Sequence, residues 1–331
     1  MNILFCSVGR RCELLKDFRN TLGDKVRIIV TDNSYYAPAL AFADESYKVP
    51  LITAQDYIPT ILDICKREQI NAVTTLIDPE IAILAEHRAE FEEVGVEVLA
   101  PYTDTARLCF DKFEMYKYLT EKGINTVRTF GTIEDFKAAQ AAGEIDIPVF
   151  VKPRTGSGSV GARKVESMEL LEELMARDPS LIIQELMTGK DMDADIYVDT
   201  VSHEVVAVFS KKKISTTIGG ANKTISFKDP ALFEFVTNAL RVFEFNGPLD
   251  MDLFCQDGKY YLSEINPRFG GAYLHAYGAG VDFTRFIYKN VMDKEANTPC
   301  IGEYDEDVIM MMYDSVVIDR LSNIKERIKE I

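Results

Sequence analysis

Residues 150–161 read Phe-Val-Lys-Pro-Arg-Thr-Gly-Ser-Gly-Ser-Val-Gly: an apolar run that ends in Lys152-Pro153 and opens into a Gly/Ser loop with G-x-G-x-x-G spacing. Three kinds of phosphate loop share or approach that spacing, and their surroundings tell them apart. In a dinucleotide fold the loop opens a helix directly. Here Ala162-Arg163-Lys164-Val165 alternates polar and apolar like a returning strand, and the helical pattern Ser167–Arg177 comes only afterwards. A Walker A loop closes on Gly-Lys-Ser/Thr, whereas Gly161 is followed by Ala162-Arg163. A protein kinase carries its lysine on a later strand, but Lys152 precedes the loop. The sequence therefore predicts a flap: a strand ending in lysine, a flexible hairpin tip and a return strand, closing over phosphates.

The flap is preceded by a different rhythm. Apolar runs at Met1–Ser7, Val26–Thr31, Ala72–Leu76 and Val96–Leu99 alternate with helical patterns around Cys12–Asn20, 55–68 and 79–92. Such alternation predicts a small parallel sheet with right-handed crossovers. Gly9 after the first strand and Asp32 ending the second suggest a dinucleotide site, but one glycine stands where that fingerprint needs three. From Asp104 a helix is expected to run to Gly123. Leu108, Cys109, Phe113, Met115, Tyr116 and Leu119 form its apolar stripe, and Lys112 falls inside it. A lysine there either snorkels to water or presents its ammonium to a buried anion.

Composition sets the frame. The 331 residues, 47% of them hydrophobic, suffice for two or three cores at roughly 100–200 residues per domain. A formal net charge of −16 repels polyanions, so nucleic acid is not expected as a partner. The six cysteines are scattered with no C-x-x-C pair, and read as reduced thiols. With neither a basic leader nor 18 uninterrupted apolar residues, the expectation is a cytoplasmic protein without a membrane partner.

Four signals follow one another in a fixed order: Asp111-Lys112, Val151-Lys152-Pro153 with its loop, Ile183-Gln184-Glu185-Leu186 followed by Gly189-Lys190-Asp191, and Glu264-Ile265-Asn266-Pro267-Arg268. In that order the chain resembles the ATP-grasp superfamily, and within it one synthetase unit of the carbamoyl phosphate synthase large subunit. The fold class implied is mixed α/β and α+β. A parallel N-terminal domain (1–103) would precede a small lobe with the connecting helix and flap (104–185) and a C-terminal catalytic lobe (186–331). The resemblance implies ATP at the adenine contact of Glu185, with backbone bonds from Gln184 to Leu186. Ribose would go to Asp191, with Asp193 as competitor, and phosphates to Lys112, Lys152 and the flap residues Gly156, Ser157 and Gly158. Lys152 and Arg268 would be catalytic, Arg268 holding the transferred phosphate or the substrate carboxylate.

The metal site depends on a turn. A two-residue Asp257-Gly258 turn would pair Met251 with Glu264 and turn Asp250 and Asp252 away. A three-residue loop with Gly258 in a bulge pairs Asp250 with Glu264, sets Asp252 on the diagonal, and gathers the carboxylates on one face. The second reading is adopted, giving Asp252, Glu264 and Asn266 as ligands to Mg²⁺, with Mn²⁺ the alternative ion. The basic stretch Lys211-Lys212-Lys213 to Lys223 reads either as a solvated loop or as the lining of a γ-phosphate and acceptor pocket. His87, His203 and His275 show no triad or metal spacing; His275 alone falls near the expected site.

The implied chemistry is activation of a carboxylate as an acylphosphate, which an amine or similar nucleophile then attacks. Partners are accordingly a small-molecule carboxylate and an amine, with a homodimer the one macromolecular partner entertained. Half of a split carbamoyl phosphate synthase and a non-catalytic ATP-binding regulatory subunit are the alternatives.

Overall fold

Alternate residues of the first strand are buried in two different cores, Ile3 and Phe5 in one and Leu4 and Cys6 in the other. A strand apolar on both faces belongs inside a covered parallel sheet. In the computed structural model, which describes residues 1–156, 161–217 and 220–330, β1 (Asn2–Cys6) pairs in parallel with β2 (Arg27–Asp32) on one side and β4 (Ala72–Thr75) on the other. β3 (Glu45–Lys48) and β5 (Glu97–Val98) extend that sheet in parallel. The helices α1 (Cys12–Leu22) and α2 (Tyr57–Arg67) pack on opposite faces. The expected single helix over 79–92 is two, α3 (Asp78–Glu86) and α4 (Arg88–Glu93). They divide where Arg88 turns inward to donate to the carbonyls of Val98 and Pro101 at 3.0 and 3.2 Å.

The helix expected from Asp104 to Gly123 is also divided. α5 (Thr103–Phe110) stops at Asp111, whose backbone is extended and whose carboxylate accepts from the N–H groups of Phe113 and Glu114 at 3.1 Å each. Those two bonds satisfy orphan donors at the start of a new helix, α6 (Lys112–Glu121). Lys112 is thus the first residue of α6 rather than a member of a continuous stripe. The small lobe follows: β6 (Thr129–Phe130), α7 (Ile133–Ala141), β7 (Val149–Pro153), β8 (Arg163–Val165), α8 (Met168–Arg177) and β9 (Leu181–Glu185). Its antiparallel sheet has the order β6-β9-β7-β8 and its own core around Phe136, Val151, Leu171 and Ile183.

The large lobe is an antiparallel sheet of β10 (Lys190–Val198), β11 (Val205–Thr217), β12 (Gly220–Ser226), β13 (Gly247–Gln256), β14 (Lys259–Asn266) and β15 (Ile309–Met311), ordered β14-β13-β10-β11-β12-β15. α9 (Pro230–Leu240) covers one face; α10 (Leu274–Gly278) and α11 (Phe283–Tyr288) pack toward the N-terminal domain. There Phe18 stands edge-on to Phe5 and Phe269, at 5.0 and 6.0 Å, so the residue after Arg268 is anchored in the first domain's core. The chain then crosses back through α12 (Leu321–Arg327) to β16 (Ile328–Glu330), which pairs in parallel with β3. No described helix is long and apolar enough to cross a membrane.

Candidate active site

The turn between β13 and β14 corrects the expected geometry and keeps its consequence. Gln256 pairs with Lys259, so the turn has two residues, Asp257 and Gly258, both at positive φ (51° and 73°) as a type I′ turn requires. The register then shifts between Asp252 and Leu253, leaving Ser263 as a bulge on β14. Asp252 therefore lies directly opposite Glu264, not diagonal to it, and Asp250 lies opposite Asn266 rather than Glu264. The bulge does the work assigned to a three-residue loop, and the four side chains share one face.

That face continues on β10, where Asp193 is opposite Asp252 and Asp195 opposite Asp250, with Asp191 two residues away. Like charges facing each other across strands are unfavourable, so cations must lie among them. Lys211 and Lys213 of β11 supply them. The Lys213 ammonium reaches Asp191, Asp193 and Asp252 at 2.9, 2.7 and 2.6 Å. Lys211, with no exposed surface, is ion-paired to Asp195 and lies 3.9 Å from Asp250. Burial pushes Asp193 up, and Asp250 up to about 7. Burial acts on Asp252 too, yet Lys213 prevails and holds its carboxyl well below the usual range. Lys212 points the other way, its ammonium 4.7 Å from the Phe227 ring.

The opposite wall comes from the start of α6 and the end of β7. Lys112 and Lys152, both buried, reach the two Glu264 oxygens at 3.4 and 3.9 Å. Burial lowers the Lys152 pKa, Glu264 opposing it. Lys112 also donates to the Gly156 carbonyl. Arg154 fixes this wall: its Nε contacts both Asp111 oxygens at 2.7 and 2.8 Å, and its amino group contacts Glu114 at 2.8 Å. The start of α6 and the end of β7 are thereby tied together, with Lys112 and Lys152 side by side.

Arg268 closes the end of the site toward the first domain. Its Nε lies 2.7 Å from one Asp78 oxygen and its amino group donates to the other at 3.0 Å. Arg11, from the β1–α1 loop, donates to the carbonyls of Phe269 and Gly270 at 2.7 Å each. A Cβ on Gly270 would come within 2.7 Å of Asp195 Oδ1 and 2.8 Å of Asp250 Oδ1, so the chain passes those carboxylates at a distance only glycine permits. A small cavity beside this end is lined by Asp78, Cys109, Gly156, Glu264 and Asn266.

At the hinge, Glu185 ends β9 and its N–H donates to Arg128 at 2.9 Å, while the buried Gln184 amide donates to Thr129 at 2.8 Å. Leu186 follows, half-buried. Ser157 and Gly158 lie outside the described residues. Asp32, considered for a dinucleotide, spends its carboxylate on the N–H groups of Gly9 and Ser34, both at 2.9 Å. His275 is buried against Thr224 (2.7 Å) and the Val308 carbonyl (3.0 Å), and burial lowers it to about 4.

Among the described residues, no three His, Cys, Asp or Glu side chains are grouped to hold a metal. The expected set combines two carboxylates with an amide: Asp252, Glu264 and Asn266, whose amide nitrogen is 3.3 Å from Asp252 Oδ2. These are hard oxygen donors, which suit magnesium or manganese and not zinc. Sequence reasoning missed Arg11, Asp78 and Asp195 and left Lys213 unresolved among its neighbours. The alternation Asp191-x-Asp193-x-Asp195 carried a readable signal for one face of a strand; Asp78 and Arg11 carried none, because their partners lie about 190 and 258 residues away.

Residues 3–99 match the family described as PylC-like, N-terminal domain, and residues 109–272 match the ATP-grasp domain. The arginine-specific large chain of carbamoyl phosphate synthase from Bacillus subtilis (strain 168) is 22% identical over 237 residues, covering 68% of this chain and 22% of that one. This chain therefore spans about a fifth of the length of that relative. The L-arginine-specific L-amino acid ligase of Bacillus subtilis is 25% identical over 75% of this chain and 64% of its own. Among solved structures, the biotin carboxylase domain dimer of Hydrogenobacter thermophilus 2-oxoglutarate carboxylase, in complex with MgADP, ADP and bicarbonate, superposes with a TM-score of 0.73. It shares 17% identity over 93% of this chain and 73% of that one.

Proposed function

We propose that this chain, an ATP-grasp domain behind a PylC-like N-terminal domain, is an ATP- and Mg²⁺-dependent ligase that activates a small-molecule carboxylate as an acylphosphate for attack by an amine or similar nucleophile. The observation that carries the reading is the convergence on Glu264: two buried lysines, Lys112 at the start of α6 and Lys152 of the small lobe, on one side and Asp252 of the large sheet on the other. Separate lobes supplying opposite charges to one point make a site for a polyanion together with its counter-cation.

Asp252, Glu264 and Asn266 would hold the divalent ion, which when bound neutralises charge on the transferring phosphoryl group. Lys112 and Lys152 contact phosphate oxygens as point charges. The Gln184–Leu186 segment takes the adenine edge and Asp191 the ribose. Arg268, oriented by Asp78, faces the carboxylate or the phosphoryl group being transferred, and its fixed position limits the geometries that react. No side chain of the chain is asked to form a covalent intermediate.

The test is release of ADP and phosphate from Mg-ATP with pooled carboxylates and amines, bicarbonate with ammonium included. The last arm covers a half of a split carbamoyl phosphate synthase. Glu264→Gln should abolish release while the fold survives, and Lys152→Ala should weaken ATP binding by about 1.5–3 kcal/mol. Wild-type protein that binds Mg-ATP with no turnover in any pool would favour a regulatory subunit. Undiminished turnover in Glu264→Gln would mean that the metal site is misassigned.

A further inference from the structure

The segment between β15 and α12 is unlike the rest of the surface. Tyr313, Val316 and Ile318 are 85, 77 and 91% exposed, and Val317 and Leu321 are exposed as well. No backbone hydrogen bond among the described residues uses the N–H or C=O groups of residues 313–319. A bare backbone carrying Tyr, Val, Val and Ile combines high strand preference with unpaired donors and acceptors, the condition in which one chain pairs with another.

The segment is also complementary to itself. Antiparallel pairing with Val317 opposite Val317 sets Asp314 against Arg320 and Val316 against Ile318 on one face, each contact occurring twice by symmetry. The other face brings Val317 against its own copy and Ser315 against Asp319. An isologous two-fold contact requires that reciprocity. Shifting the register by one residue puts Asp314 opposite Asp319 and loses the ion pairs. Asp314 and Arg320 have no ion-pair partner among the described residues, whereas Asp319 is already bonded to the side chains of Asn323 (2.9 Å) and Arg327 (3.0 Å). We propose that residues 313–320 form an antiparallel strand pair with the same residues of a second copy of this chain, in the register that opposes Asp314 to Arg320. The charges at both ends of the apolar core favour a closed pair over open-ended stacking.

The experiment is sedimentation equilibrium of the full chain as wild type, Asp314→Arg, Arg320→Asp and the double reversal. These side chains are exposed and lie outside the candidate site, so the variants should fold, which circular dichroism checks. The wild type should be a dimer. Each single reversal sets like charges against each other twice and should weaken dimerisation about tenfold, and the double reversal should restore it. Amide exchange at 313–320 should slow with protein concentration in the wild type and in the double variant only. A wild type that stays monomeric would overturn the proposal, as would a dimer indifferent to the single reversals or a double reversal no better than the singles.

Discussion

Replacing Asp78 by Asn isolates the link between the first domain and the C-terminal lobe without opening a cavity. The Asp78 carboxylate meets Arg268 through two contacts, at 2.7 and 3.0 Å, and both side chains are only about one-seventh exposed. Removing one member of a buried pair leaves an uncompensated charge, at a cost of roughly 3–5 kcal/mol. Arg268 keeps a contact to the Phe269 carbonyl at 3.1 Å and the field of Asp250 and Glu264, so the expected loss is smaller, about 2–4 kcal/mol. For a protein of 331 residues that is a fall in Tm of about 3–6 °C. Calorimetry on wild type, Asp78→Asn, Arg268→Met and the double variant would measure it. The double variant should be no less stable than Asp78→Asn, since the isolated charge is then gone. Asp78→Asn within about 0.5 kcal/mol of wild type, or additive single effects, would refute the claim that this pair holds the two domains in register.

Two further outcomes follow from buried groups. Asp17 is buried with one carboxylate oxygen unpartnered, and burial, with Asp282 and Glu13, pushes it up to about 7. A carboxyl with a raised folded pKa favours the folded state at low pH and loses that contribution as pH climbs from about 4 through 7. Asp17→Asn should therefore gain on the wild type in urea midpoints at pH 8 relative to pH 5, and an equal difference at both would exclude ionisation as the cause. Gly270→Ala should destabilise by about 1–3 kcal/mol, because its methyl group would press on two carboxylates held by Lys211; an unchanged melting temperature would show that those carboxylates move freely.

What could be read from sequence was local. The apolar runs of β1, β7 and β9, the alternation of Glu264 and Asn266 in β14 and the lysine before the flap were legible because strand patterning and loop spacing are properties of neighbouring residues. The helix break at Asp111 was less so: Asp is a good N-cap, but the surrounding apolar stripe concealed it. β3 was missed because Glu-Ser-Tyr-Lys lacks the apolar run of its neighbours. The metal face shows the limit most plainly. An Asp-Gly pair signals a two-residue turn, and on turn chemistry alone the carboxylates would have faced apart. The bulge at Ser263, which brings them together, is decided by burial on the opposite face, where Met251, Leu253, Leu262 and Ile265 must all reach one core. That choice belongs to packing and is invisible to a local rule.

The pairing of β16 with β3 has a consequence in time. A ribosome delivers Lys48 about 280 residues before Ile328, which at roughly 5–20 residues per second is a wait of a quarter to a whole minute. Throughout that interval the growing chain displays β3 as an open parallel edge, while the segment that will cover it has not been made. The strand is only four residues long and carries a charge at each end, Glu45 and Lys48, which suits it to such a wait, because it makes a poor template for a stray strand.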